Sequence, residues 1–384
     1  MELSKVTLEI FSKLEQKWLS RCETTTKTRI LSIDGGGTTA VVAGASLVRL
    51  EDQIRLQTRD PQAQITDFFD IVTGTGIGAI LAAMITADGG SGRPLYTARD
   101  AVRVVAQRNS ELFKPKLPRV LRWRRRRFSS KSMDKVLKEV FRRRVDGRPL
   151  TLKDTCKPLL IPCFDLKSAA PFVFSRADAS ESPSFNFELW KVCRATSATP
   201  SLFKPFQLTS VDGKTYCRAI DGGLVMNNPT AAAVTHVLHN KRDFPSAKGV
   251  GDLLVLSLGN GTSIIGGSGR KGSEKEETLC SMSSMVDIVA EGVSETIDQM
   301  LGNAFCWNRT DYVRLQALGL GNGEEVLKEK SVESLPFGGK RLLKETNGHR
   351  IDSFVQRLVA SGKASLSLPQ SAANEAAAYP IGGS

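Results

Sequence analysis

Three short stretches of this 384-residue chain hold the residues whose types and spacing could do chemistry. The first, "LSIDGGGTT", runs an apolar segment into Gly35, Gly36 and Gly37. Backbone N–H groups with no side chain in the way, presented where a helix starts, make an anion site. Such a loop can hold the oxyanion of an ester hydrolysis, can cradle a phosphate as in sugar kinases of the actin-like ATPase superfold, or can be a tight turn without chemistry. The second, "FFDIVTGTGIGAILAAM" (68–84), takes an apolar run over 68–72 through Gly74 and Gly78 into a small-residue helix. A strand, a sharp G-x-x-x-G turn and a helix are the setting of a nucleophile elbow, which lifts a serine hydroxyl above a sheet. Here the apex is Gly76, which has no side chain. The third, "CRAIDGGLVMNNPTAAA", sets Asp221 on another glycine turn, Gly222 and Gly223, between an apolar segment and a helix.

The elements that must position these turns can be read from periodicity. "AVVAGASLVRLEDQIRL" is helical, as are a segment of about 99–113 and the serine-capped "SSKSMDKVLKEVFRRR". Apolar runs at "PLLIPCFDL", "PFVFS", "DLLVLSLGNG" and "YVRLQAL" alternate with helical stretches around 187–198, 230–239 and 284–301. Strands alternating with helices predict a largely parallel sheet covered on both faces. Val6, Ile10, Leu14 and Trp18 at helical spacing predict an amphipathic helix within residues 1–28. "GGSGRKGSEKEE" reads as a surface loop, and residues 363–384 have too few large apolar side chains to pack and read as a disordered tail.

Composition excludes several classes. No run approaches the length of a membrane span, and the charged N-terminus lacks the pattern of a signal peptide. Seven cysteines without metal-ligand spacing fit reduced thiols in the cytosol, with no metal and no cofactor. The net charge of +13 is concentrated in residues 114–148, where 15 Lys and Arg face 3 acids. Within that segment Arg124, Arg125, Arg126 and Arg127 are bracketed by Trp123 and Phe128. This patch is either a solvated face or a contact for an anionic membrane surface, where each basic residue is worth ~1 kcal/mol. No nucleic-acid-binding motif accompanies it, so no nucleic acid is expected.

Taken with "VCRATSATPSLFKPF" and "LLVLSLGNG", the three stretches resemble the patatin-like phospholipases, the plant lipid acyl hydrolase family, over about residues 29–320. Five blocks match in order: the glycine loop, the elbow, R-A-T-S-A-x-P, the D-G-G turn with its N-N-P, and the L-S-L-G strand. The kinase reading explains the first block and conceivably "LSLGNGTS", but neither the elbow nor "RATSATP". The resemblance implies an α/β three-layer sandwich spanning 29–362, with 114–148 as a basic insertion. It implies a serine–aspartate dyad: Asp221 as base, Gly35, Gly36 and Gly37 as oxyanion hole, and Gly76 at the nucleophile's position. His236, His239 and His349 then need no catalytic part.

The chain departs from the family pattern at Gly76, and at Thr39 and Ala40, where arginine and glycine normally continue the first loop. The glycine elbow is similar to that of the third group of plant patatin-related phospholipases A, a group described as lipid acyl hydrolases. Two functional classes follow. One is an unconventional hydrolase of phospholipid or galactolipid acyl esters, with Asp221 activating water. The other is a catalytically silent lipid-binding or regulatory protein on the same fold. Either implies membrane glycerolipids as partners and a cytoplasmic protein peripherally attached to membranes, the plasma membrane foremost.

Overall fold

The structure, a computed structural model, describes residues 12–13, 27–36, 40–116, 128–200, 202–261, 282–317, 323–335 and 339–366. Its centre is an eight-stranded sheet of β1 (Thr28–Ile33), β2 (Ile71–Gly74), β3 (Leu159–Asp165), β4 (Ala170–Ser175), β5 (Phe206–Thr209), β6 (Tyr216–Ile220), β7 (Leu253–Leu258) and β8 (Tyr312–Leu315). Its main path runs β5-β6-β3-β2-β1-β7-β8, with β4 paired to β3. The inner pairs β3–β2, β2–β1, β1–β7 and β7–β8 are parallel, whereas β4, β5 and β6 join in antiparallel pairs. A small antiparallel pair, β9 (Lys330–Leu335) and β10 (Gly339–Thr346), stands apart.

Every residue of β7 and β2 is buried, which is why these strands read as unbroken apolar runs rather than alternating ones. Their few polar residues are hydrogen-bonded: Thr73 donates to the Leu160 carbonyl at 2.9 Å, and Ser257 accepts from Arg314 at 2.9 Å. One face is covered by α1 (Val41–Thr58), α2 (Gly76–Thr86), α3 (Ala98–Leu112), α4 (Ser130–Val140) and α5 (Leu189–Thr196), which share the larger core. The other carries α6 (Thr230–His239) and α7 (Met282–Ala304), whose Val237 and Leu301, with Phe305 just past α7, cluster with Ile30, Ile71 and Val255. The last helix, α8 (Asn347–Leu366), lies on α1's side, with Phe354 stacked on Phe69 at 6.3 Å.

The three-layer architecture is as the sequence implies, and three boundaries move. The predicted strand over 68–72 begins later, at Ile71, because Asp67 turns back to accept the Gln64 N–H at 2.9 Å and closes a helical turn, Ile65–Phe68. The basic helix ends at Val140, before the arginine run, with Ser129 capping its start by accepting the Ser132 N–H. Helix α8 continues to Leu366, into the segment expected to be disordered. The N-terminal amphipathic helix, the loop at 266–277 and the arginines 124–127 lie outside the described residues. Of the basic residues that are described, Arg143, Arg148 and Lys135 are paired with Asp146, Asp154 and Glu139.

The elbow helix crosses the end of β1 so closely that only glycine fits at two positions. A methyl group on Gly78 would lie 2.3 Å from the Asp34 carbonyl oxygen, and one on Gly74 would lie 2.6 Å from the Gly78 carbonyl oxygen. Gly76 differs: its φ of +54° favours glycine, but a methyl there would meet only the Gly35 Cα, at 3.7 Å. Gly78→Ala should therefore cost about 3 kcal/mol or more, since backbone must move. Gly76→Ala should cost about 1–2 kcal/mol, the left-handed penalty alone. Chemical denaturation of the two variants checks the order, and equal losses would mean the crossing is looser than described.

Candidate active site

The first glycine turn leaves β1 at Asp34, which is buried and faces Arg314 of β8 across the sheet. Both guanidinium nitrogens of Arg314 donate to the carboxylate, at 2.8 and 2.6 Å, with side-chain exposures of only 8% and 2%. Burial opposes both charges and pushes Asp34 up, while the attraction and bidentate contact of Asp34 hold Arg314 above the usual arginine range. Beyond Asp34, Gly35 donates its N–H to the Asn227 carbonyl at 2.9 Å. That N–H is therefore already used, which removes Gly35 from the expected oxyanion donors. Gly36, with φ +90°, has no partner for its N–H among the described residues, and Gly37 lies outside them together with Thr39.

The second turn has the geometry of a nucleophile elbow. Strand β2 ends at Gly74, Thr75 is extended, and α2 begins at Gly76 with its positive φ. The Gly76 N–H donates to the Thr196 hydroxyl at 3.1 Å. Thr75 cannot stand in for a nucleophile, because its side chain is buried and its hydroxyl donates to the Met226 carbonyl at 2.6 Å. The apex therefore offers no side-chain hydroxyl at all.

The third turn places Asp221, half-buried, directly after β6. Its carboxylate accepts from the Thr199 hydroxyl at 2.6 Å and from the Gly223 N–H at 2.8 Å. Burial raises its pKa above the ordinary carboxylate value, and those two hydrogen bonds pull the other way. Thr196 brings this turn to the elbow, since its carbonyl accepts the Gly222 N–H at 3.2 Å while its hydroxyl holds Gly76. The tripeptide 226–228 then locks the arrangement: the Met226 carbonyl holds Thr75 and the Asn227 carbonyl holds Gly35. Asn228 accepts the Thr230 N–H and so starts α6.

Sequence reasoning thus named all three turns but missed Thr196, Thr199, Asn227 and Arg314, which hold them together. The quoted blocks "RATSATP" and "NNP" contained three of these without indicating their partners. Arg314 sits in an apolar strand, where a lone arginine is itself a sign of a buried charge partner. The two helical histidines lie in the last turn of α6, where His236 packs its ring on Phe244 at 6.2 Å and bonds Asn240 rather than an aspartate of the turns. Beside the glycine loop opens a cavity of about 190 Å³, bounded by Asp34, Gly36, Asn227, Ser294 and Arg314.

A strand–elbow–helix unit, a D-G-G turn and a glycine loop meeting on one sheet agree with the family comparison. The patatin-like phospholipase family model matches residues 31–234. The chain belongs to the patatin-like phospholipase family. It is 69% identical to the Arabidopsis thaliana protein named "Probable inactive patatin-like protein 9", over 99% of this chain and 98% of that protein. It is 42% identical to Arabidopsis "Patatin-like protein 6", over 87% of this chain and 71% of that one. Among solved structures, VipD from Legionella pneumophila aligns over 88% of this chain and 67% of its own, at 10% identity and a TM-score of 0.34. The matched region carries the glycine loop, the elbow and the D-G-G turn, so the kinase alternative for the first loop falls away.

The Asp34–Arg314 pair anchors the first turn of this patatin-like site. Arg314→Met should destabilise the protein by about 3–5 kcal/mol, because it strands a buried carboxylate. Adding Asp34→Asn to that variant should recover much of the loss. Thermal melts of the two variants check this, and equal melting points would mean that Asp34 is not held by Arg314.

Proposed function

We propose that this patatin-like protein binds the acyl-ester region of membrane glycerolipids without forming an acyl-enzyme. The observation that carries the reading is the empty apex: Gly76 stands at the nucleophile's position, and Thr75 beside it is tied to Met226. The N–H of Gly36, next to the cavity, has no partner among the described residues and suits an ester carbonyl. The name "Probable inactive" given to a relative 69% identical to this chain supports the same reading. Loss of a nucleophile costs on the order of 10⁴ to 10⁶ in rate, whereas oxyanion contacts and binding alone leave ~10³ over water.

A second reading is kept by one feature, the intact Asp221 with its Thr199 and Gly223 partners. A base held by burial above the ordinary carboxylate pKa can accept a proton from water that attacks the ester directly. That route is a slow hydrolysis without a covalent intermediate. We place the protein on the cytoplasmic face of membranes, with the basic insertion and Arg124, Arg125, Arg126 and Arg127 meeting anionic lipid. No described helix is long and apolar enough to cross a bilayer, so contact would be peripheral.

Purified protein mixed with phosphatidylcholine vesicles should bind them and release fatty acid at close to the blank rate, with no burst. Any release above the blank should vanish in Asp221→Asn and should fall as the pH drops through the raised Asp221 pKa, where the base becomes protonated. Asp221→Asn should fold normally at neutral pH and melt close to the parent, because the amide keeps the shape and one acceptor oxygen while removing a charge that burial disfavours. Rapid release by the parent, unaffected by this substitution, would refute both readings.

A further inference from the structure

Arg314 separates two cavities. Behind it, away from the glycine loop, lies a larger one of about 460 Å³, and Asp298, Arg314, Val332 and Ser334 line both. Four guanidinium groups and two carboxylates face the larger cavity. Arg314 is spent on Asp34, and Arg341 pairs with Glu333 at 2.6 Å. Arg309 has no carboxylate within ion-pair distance among the described residues, and Arg350 makes one hydrogen bond, from Nη1 to the Ser331 hydroxyl at 3.2 Å. A guanidinium carries five N–H donors, so both side chains keep most of their donors unused beside the cavity. Burial works against the Arg350 charge; Glu345, Glu333 and Asp298 favour it from a distance, with no hydrogen bond to it among the described residues.

The rest of the wall is mixed: Gln299, Asn303 and Ser334 are polar, Phe305 and Tyr312 stack at 5.7 Å, and Tyr312 donates to Asp298 at 2.7 Å, which holds that carboxylate to the cavity edge. Nearby in sequence, Trp307 is 98% exposed and Met300 61% exposed. Both flank cavity-lining residues, Met300 in α7 between Gln299 and Gly302, and Trp307 between Phe305 and Arg309.

We propose that this cavity is an anion site that binds a phosphomonoester through Arg309 and Arg350. Two guanidinium groups that no carboxylate of the described residues contacts within ion-pair distance match a group bearing close to two negative charges, and the planar fork of arginine pairs bidentately with phosphate oxygens. The site is distinct from the glycine-loop cleft and does not depend on whether an ester is cleaved there. Its phosphate has two chemical sources, a soluble phosphomonoester or a lipid head group, and the exposed Trp307 and Met300 beside it favour the lipid, since tryptophan settles at bilayer interfaces.

The test uses the full chain and two probes that share the phosphomonoester: glycerol 3-phosphate, followed by calorimetry, and phosphatidylcholine vesicles containing phosphatidic acid, followed by co-sedimentation. Vesicles containing phosphatidylserine at matched surface potential report attraction that is merely electrostatic. Arg309→Glu and Arg350→Gln should each weaken binding of the phosphomonoester probes by about tenfold or more, the loss of one charge-assisted contact. Binding to phosphatidylserine vesicles, which the untouched basic insertion can serve, should change far less. Trp307→Ala should weaken only phosphatidic acid vesicles if the source is lipid, and should change neither probe if the source is soluble. Arg309 is exposed and has no ion-pair partner among the described residues, so Arg309→Glu keeps the test decisive even if Arg350→Gln fails to fold. The proposal is overturned if Arg309→Glu binds both probes like the parent, or if the parent neither binds glycerol 3-phosphate nor prefers phosphatidic acid to phosphatidylserine.

Discussion

The close crossing of the elbow helix over the end of β1 constrains everything around it. With hypothetical methyl groups on Gly78 and Gly74 only 2.3 and 2.6 Å from backbone oxygens, the helix axis has almost no freedom relative to the strand. That contact sets where α2 starts, and so fixes the Gly76 backbone at positive φ. A nucleophile elbow exists to force a side chain into this strained position. In this protein the strain is absent because the residue is glycine, yet the crossing that would impose it remains. The turn has the shape of an elbow with no side chain at its apex.

What surrounds the elbow explains why the scaffold persists. Thr196 joins Gly76 to the D-G-G turn, Met226 joins that turn to Thr75, and Asn227 joins it to Gly35. These bonds satisfy backbone groups inside the protein, and an unsatisfied one costs about 1–3 kcal/mol. The aspartate at the end of β1 is likewise structural here, because Arg314 takes both of its oxygens. Removing a serine hydroxyl breaks none of these contacts. The turns can thus keep their shape without a nucleophile, with a Gly36 N–H that has no partner among the described residues and with the Asp221 carboxylate in place.

Much of this was legible in the chain itself. Buried parallel strands announce themselves as apolar runs, so β1, β3, β7 and β8 were found, and α6 was placed at its observed bounds. The glycine turns were legible because glycine at fixed spacing after a strand has few structural meanings. Long-range partners were not: nothing near Asp34 in sequence points to Arg314, 280 residues away. Nor could spacing show that the Gly35 N–H is taken by Asn227, since a backbone bond between two loops leaves no side-chain signature. The strand start at Ile71 was misjudged because a capped helical turn, Ile65–Phe68, is as apolar as the strand that follows.

The central claim is that the elbow and the D-G-G turn are assembled and that the hydroxyl at position 76 is what they lack. It is tested most directly by intact-mass spectrometry after exposure to a fluorophosphonate, comparing the parent with Gly76→Ser. The account predicts no adduct on the parent and one adduct on the variant, lost again when Asp221→Asn is added, since the open side of Gly76 has room for the new side chain. A single adduct on the parent that survives Asp221→Asn, or a folded Gly76→Ser protein that stays unlabelled, would contradict it.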